Sequence, residues 1–281
     1  MSNAIRDEQH QFWNKVQGPK WVRLQERIDR TMNPISEAAI DRLAVQPGEH
    51  VLDVGCGYGS TSLALAEQAG AGGHVTGADI SRPMLTLARE RAEAAGAPIT
   101  IIEADAQTHA FDASSFDCLF SRFGVMFFAD FEAAFANLLG AVKPGGRMVF
   151  ACWRARRDNP WAMTAVQIAK PYLDLPPRPE QGDPGQFAFE DETFARRILE
   201  KAGWAQIEFD RFDADLDIGG NLEETTDFLL QMGPVAAPFA EASEETKSAI
   251  SRELGSVLEQ YEGGGRYRLA SGTWIVSARK P

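Results

Sequence analysis

The sequence predicts an α/β fold: a seven-stranded, mostly parallel sheet, six strands parallel and one antiparallel, with helices on both faces and a helical cap. Three observations carry this. Short apolar runs, Val51–Val54 first among them, alternate with segments of helical spacing, as a parallel sheet buried on both faces requires. That first run ends in Gly55-Cys56-Gly57-Tyr58-Gly59, and Ser60–Ala69 follows with Leu63, Leu65 and Ala66 on or near an apolar face. The next two runs close on an aspartate, Asp79, and beside one, Asp105, at what would be one edge of the sheet.

Taken in order, residues 7–46 read as helical, with Phe12, Trp13, Val16, Trp21, Val22, Leu24 and Ile28 on the apolar side. Pro19 suits the start of a second helix, and Asn33-Pro34 is expected to break it before Ile35–Leu43 resumes. Residues 1–46 are expected to form a helical lid on a domain of residues 47–281. Trp13 and Trp21 lie over a ligand or pack on the sheet edge, and Arg23, Gln25 and Arg27 are polar candidates for the same lid. Strands follow at 51–54, 74–79, 99–103, 116–121 and 148–152. Gly70–Gly73 ends the first central helix, Ser81 and Pro83 open the second, and Lys143-Pro144-Gly145-Gly146 turns into the fifth strand. Beyond it, cap insertions are expected at about 153–190 and 220–265, around a sixth strand at 204–212. The last strand, 268–278, is expected at the sheet edge, antiparallel.

Composition narrows the function. The 281 residues are 44% hydrophobic, enough for one large domain with an added cap. Lys+Arg number 28 against 40 Asp+Glu, a net charge of −12, which argues against the basic footprint that nucleic-acid binding needs. Arg154, Arg156 and Arg157 read as a solvated loop. No apolar run reaches the roughly 18 residues of a membrane span. Met1–Asp7 shows no secretory leader, and Cys56, Cys118 and Cys152 show neither disulfide nor metal spacing. A cytoplasmic protein without a metal is expected.

The glycine loop carries the chemistry. Its spacing is G-x-G-x-G rather than the G-x-G-x-x-G of dinucleotide folds, and Asp53 stands two residues before the first glycine. A carboxylate there would repel a diphosphate and welcome a cationic ligand. S-adenosylmethionine carries an ammonium and a sulfonium, with one carboxylate for the helix N-terminus. Leu52-Asp53-Val54-Gly55-Cys56-Gly57 resembles the first motif of class I S-adenosylmethionine-dependent methyltransferases, in particular the UbiE-like enzymes of small molecules. The resemblance runs over residues 51–152 and implies their Rossmann-like sheet. It also implies a cofactor set: Asp53, Gly55 and Gly57 at the loop, Asp79 on the ribose, Ile80 against the adenine and Met84 nearby. Asp105 and Ala106 would hold the adenine edge, with Ser121 at the end of the fourth strand.

The acceptor side is less defined. Arg122-Phe123-Gly124-Val125-Met126-Phe127-Phe128 replaces the Asn/Asp-Pro-Pro-Tyr/Phe motif of amino-directed nucleic-acid enzymes with an apolar aromatic wall. A small hydrophobic or aromatic metabolite is expected, with Trp21, Arg122, Phe123, Phe127 and Trp153 as candidate contacts. At least two of Phe123, Phe127 and Phe128 are expected in the core. No catalytic base is assigned: His50 and His74 lie at the wrong ends of their strands, and His109, four residues after Asp105, and His10 on the lid read as surface residues before pocket-rim ones. Two other readings stand beside this one, a nicotinamide-dependent oxidoreductase and a non-catalytic binding protein of the same fold.

Overall fold

The chain opens with four helical segments: α1 (Ser2–Gln11), a π-helical stretch at Phe12–Gln17, α2 (Gly18–Arg23) and α3 (Gln25–Leu43). The computed structural model describes residues 2–281. The parallel core follows as β1 (His50–Val54), α4 (Ser60–Ala69), β2 (His74–Asp79), α5 (Arg82–Ala95), β3 (Ile99–Glu103), β4 (Phe116–Arg122), α6 (Phe131–Ala141) and β5 (Val142–Trp153). Then come α7 (Pro160–Ala169), α8 (Glu192–Lys201) and β6 (Ala205–Gly219). The insertion α9 (Leu222–Leu230), α10 (Ala236–Glu241) and α11 (Glu244–Leu258) leads to β7 (Glu262–Gly263) and β8 (Arg266–Arg279).

The strands lie in the order β3-β2-β1-β4-β5-β8-β6, with the two-residue β7 paired only to β8. The first five are mutually parallel, and β8 is antiparallel to both β5 and β6. Six full strands therefore run one way and one the other, as expected. The place of the last strand is not: β8 sits inside the sheet and β6 forms its edge. The side chains explain the exchange. Ser271–Val276 of β8 are all buried, whereas β6 carries Glu208, Asp210, Arg211, Asp213 and Asp215, charges that suit an edge and discourage pairing with another chain.

Two local expectations also fail. The helix does not break at Asn33-Pro34; α3 runs through Pro34. A proline inside a helix costs about 3 kcal/mol. Ile28, Met32, Ile35, Ala39 and Leu43 are all buried, on a helix that packs across β5, β6 and β8. At about 2 kcal/mol per large apolar side chain, that face outweighs the break. The Lys143–Gly146 segment is not a separate turn but the bulged start of β5, with a register shift opposite Phe116 and Cys118. Its ends are tied to the chain terminus, Gly145 N–H donating to the Lys280 carbonyl and Lys280 N–H to that of Gly146.

α1, the π stretch and α2 lie over the carboxyl ends of β2 and β3. Asn14 Nδ2 donates to the Ile80 carbonyl at 2.8 Å, and the Arg82 N–H donates to Asn14 Oδ1 at 2.9 Å. Ser81 occupies the cap position of α5, yet its hydroxyl does not cap: it donates to the Trp13 carbonyl at 2.8 Å. The packed N-terminal segment takes the hydroxyl that an isolated helix would use for itself.

Candidate active site

The order β2-β1-β4 places a topological switch point between β1 and β4, where successive connections leave on opposite sides and a crevice opens at the carboxyl ends. A cavity of about 2100 Å³ occupies that place. Single-ligand pockets run to roughly 1,000 Å³, so there is room for two ligands.

Backbone forms the floor. Gly55 and Gly57 adopt φ of +70° and +55°, values that favour glycine. A Cβ on Gly55 would lie 2.7 Å from the Gly124 Cα, and one on Gly124 would lie 2.8 Å from the Gly55 Cα. The ends of β1 and β4 thus touch backbone to backbone. Gly124 was missed in the sequence reading; its signal was a glycine directly after a central strand.

Asp79 closes β2. Its Oδ2 accepts the Gly57 N–H and its Oδ1 the Ser81 N–H, each at 2.8 Å. Burial raises its pKa against those hydrogen bonds. Ile80, Met84 and Ala106 add an apolar shelf on the same cavity wall. Asp105 sits there too, but it is engaged: Arg6 Nε donates to its Oδ2 at 2.7 Å and the Gln107 N–H to its Oδ1 at 2.9 Å. Arg6 also reaches Thr108 Oγ1 at 2.8 Å, so α1 is pinned beside the crevice.

Three of the nine candidate cofactor residues stand behind the wall rather than on it: Asp53, Gly57 and Ser121 are absent from the cavity lining, while Gly55, Asp79, Ile80, Met84, Asp105 and Ala106 line it. Asp53 is 0% exposed. Its Oδ2 accepts from Thr61 Oγ1 at 2.8 Å and Ser62 Oγ at 2.6 Å, which staples β1 to the first turn of α4. Burial pushes its pKa up to about 6, with the two hydroxyls and Arg122 pulling it back. The carboxylate expected to face a cation therefore lies beneath the loop, and among the described residues its Oδ1 has no hydrogen-bond partner.

Side chains form the rest. Trp21, Arg122, Phe123, Phe127 and Trp153 all line the cavity. Phe123 stacks on Trp153 at 4.2 Å and 8°, and Trp153 leans on Trp161 at 4.8 Å. Trp13 meets Phe127 edge-on at 5.0 Å and Trp21 at 5.7 Å. Phe123 and Phe128 are buried and Phe127 is partly so, yet all three reach the cavity. Phe123 holds φ at +64°, a conformation that costs a non-glycine residue about 1–2 kcal/mol. Its stacked ring is what that strain positions.

Several wall residues had no sequence signal. Arg156 and Arg178 both donate to Glu190 Oε1, Arg156 at 2.7 Å, and the Arg156 guanidinium lies over Phe187. Arg154 was expected in a solvated loop. Instead it is buried, bridging Asp158 and Asp213. Arg23, Gln25 and Arg27 are outside the cavity lining, and Arg27 instead binds the Ile218 carbonyl. His109 is outside it as well, against Phe111, whereas His10 lies on the rim.

Residues 51–146 match the family model described as a methyltransferase domain. The demethylmenaquinone methyltransferase of Thermus thermophilus is 40% identical over 111 residues, 40% of this chain and 50% of that protein. The aklanonic acid methyltransferase of a Streptomyces species is 36% identical over 118 residues, 42% of this chain and 54% of that one. The chain thus spans about half the length of these curated relatives. Among solved structures, phosphoethanolamine N-methyltransferase 2 of Haemonchus contortus, in complex with S-adenosylhomocysteine, superposes with a TM-score of 0.55 at 22% identity. The match covers 88% of this chain and 52% of that one, and it speaks for the fold alone.

Proposed function

We propose that this chain, whose residues 51–146 match a methyltransferase-domain model, is an S-adenosylmethionine-dependent methyltransferase whose acceptor is a small hydrophobic or aromatic metabolite. The observation that carries the reading is Asp79: a half-buried carboxylate at the end of β2, tied to the glycine loop and sharing one wall with Ile80, Met84 and Asp105. The residues present suit the cofactor. Asp79 would take the ribose hydroxyls, Ile80 and Met84 the adenine faces, and Asp105 with the Ala106 N–H the adenine edge. The unpartnered Asp53 Oδ1 supplies negative charge beneath the loop, and the Gly55–Gly124 contact leaves the floor free of side chains.

The bound cofactor would supply a methyl group on a sulfonium, a good leaving group. What remains for the protein is alignment and exclusion of water, catalysis by proximity. The Phe123–Trp153 stack and the edge-on Trp13–Phe127 contact give the acceptor flat, rigid walls. α1 to α2 act as a lid over both ligands, latched through Arg6 and Asn14. A general base is needed only where the acceptor's attacking atom holds a proton near neutral pH, and none is assigned. Among the described residues no helix is long and apolar enough to cross a membrane, and all three cysteines are free and buried. A cytoplasmic location suits that chemistry.

Calorimetry with S-adenosylhomocysteine and with NAD tests the reading. Saturable binding of the first and none of the second is expected. The reverse would establish the oxidoreductase alternative. Binding without turnover across a broad set of acceptors would favour a non-catalytic role.

A further inference from the structure

We infer that Arg122 is the carboxylate anchor for the amino-acid arm of the donor, rather than an acceptor contact. The inference rests on the cofactor reading above. Arg122 ends β4 and faces the cavity beside Gly55, Phe123 and Gly124, at the switch point itself. Its side chain is 11% exposed. Three groups orient it. Nη1 donates to Ser36 Oγ of α3 at 2.8 Å, Nη2 donates to Ser60 Oγ at the start of α4 at 3.2 Å, and Asp29 Oδ1 lies 4.0 Å from Nη2. Nε forms no hydrogen bond in that set, so the fork is held without being saturated.

The charges around it are not balanced by Asp29 alone. That carboxylate also faces Arg91, at 3.3 Å, and accepts from Gln25. Arg122 and Arg91 thus share Asp29, with the buried Asp53 a second acid near Arg122, and of the two guanidiniums Arg122 is the one on the cavity wall. Asp79 on the crevice wall and Asp53 behind it are acids whose pKa values burial raises, groups that a cationic ligand would relieve. A zwitterionic amino-acid arm fits this division: its ammonium belongs with the acids, its carboxylate with the planar fork of Arg122. An apolar acceptor would leave that fork unanswered in a largely dry wall.

The alternative is a purely mechanical role, with Arg122 clamping α3 to the glycine loop through Ser36 and Ser60. Two probes separate the roles: S-adenosylhomocysteine, and its decarboxylated analogue, which keeps the ammonium and loses the carboxylate. The wild-type protein should bind the former at least about tenfold more tightly, the range of a charged hydrogen bond. Arg122→Gln should weaken S-adenosylhomocysteine by roughly tenfold to hundredfold and leave the analogue within about twofold, erasing the preference. Arg122→Lys, which keeps the charge and loses the fork, should retain part of it, and it carries the test if the glutamine variant does not fold. Equal wild-type affinity for the two probes overturns the inference. So does an Arg122→Gln or Arg122→Lys protein that loses affinity for both probes alike, the mark of the clamp, or for neither. A wild-type protein that binds neither probe fails the cofactor reading itself, a result distinct from all of these.

Discussion

One end of the cavity is built from main chain and the other from side chains. At the β1–β2–β4 end, Gly55 touches Gly124 and the Gly57 N–H is held by Asp79, so strand register fixes the geometry. At the other end, Phe123, Trp153, Trp161 and Phe187 come from four separate places, the turn after β4, the end of β5, α7 and the loop before α8, held by stacking and by the shared Glu190. The first end has few ways to vary without breaking the sheet. The second can exchange side chains while the sheet stays whole, as a site that distinguishes acceptors must.

The largest effect should come from adding one carbon at the main-chain end. Gly55→Ala puts a Cβ 2.7 Å from backbone that cannot swing aside, at a φ of +70°. Overpacking and left-handed strain together should cost about 4 kcal/mol. Chemical denaturation reads this directly; a loss below about 1 kcal/mol would show that β1 and β4 can part. Asp79→Ala comes next. It removes a proposed ribose contact and also frees the Gly57 and Ser81 N–H groups. Affinity for S-adenosylhomocysteine should fall by about a hundredfold while the protein stays folded, with a lower Tm. Unchanged affinity in calorimetry would remove Asp79 from the site.

Asp53→Asn sharpens the contrast, because Asp53 belongs to the scaffold of the crevice and not to its surface. Its pKa rises from 3.8 to about 6 in the folded chain. The fold therefore favours the protonated form. Its contribution to stability is complete below the unfolded value and is lost as pH rises through the window between the two, up to about 3 kcal/mol. The asparagine variant should flatten the fall in Tm across that window and gain about 2 kcal/mol at neutral pH. Denaturation of both proteins at several pH values tests the slope. A variant with the wild-type slope would remove Asp53 as the source of the pH dependence, and one that no longer binds S-adenosylhomocysteine would mean that the carboxylate meets the ligand directly.

The same division explains what could be read from the sequence. The strands at 51–54, 74–79 and 99–103 and the helix at 60–69 were legible almost to the residue, because glycines, short apolar runs and the terminal aspartates state a backbone geometry. Asp53 was legible as a carboxylate at that place but not in its direction, since only the fold shows Thr61 and Ser62 turning toward it. Pro34 misled because a local breaker was weighed without the buried face around it. The exchange of β8 and β6 was hidden because pairing order is not a local property, although the charges of β6 were on the page. The Arg156–Glu190–Arg178 group had no signal: its members meet only through the path of the loop between α7 and α8.

The smallest expected effect lies at the side-chain end and completes the contrast. Phe123→Leu keeps an apolar side chain and the φ of +64°, but it removes the ring stacked on Trp153 at 4.2 Å. An aromatic pair contributes about 1 kcal/mol beyond its buried area, so the Tm should fall by only a few degrees. Affinity for S-adenosylhomocysteine should stay within about twofold, because Gly55 and Gly124 still hold the floor. Turnover of an aromatic acceptor, once one is found, should lose more than binding of the donor does, since a flat wall aligns a flat substrate and leucine does not. A variant that loses donor affinity as strongly as acceptor turnover would show the two ends to be one site, with the stacked ring shaping the donor's arm as well as the acceptor's face.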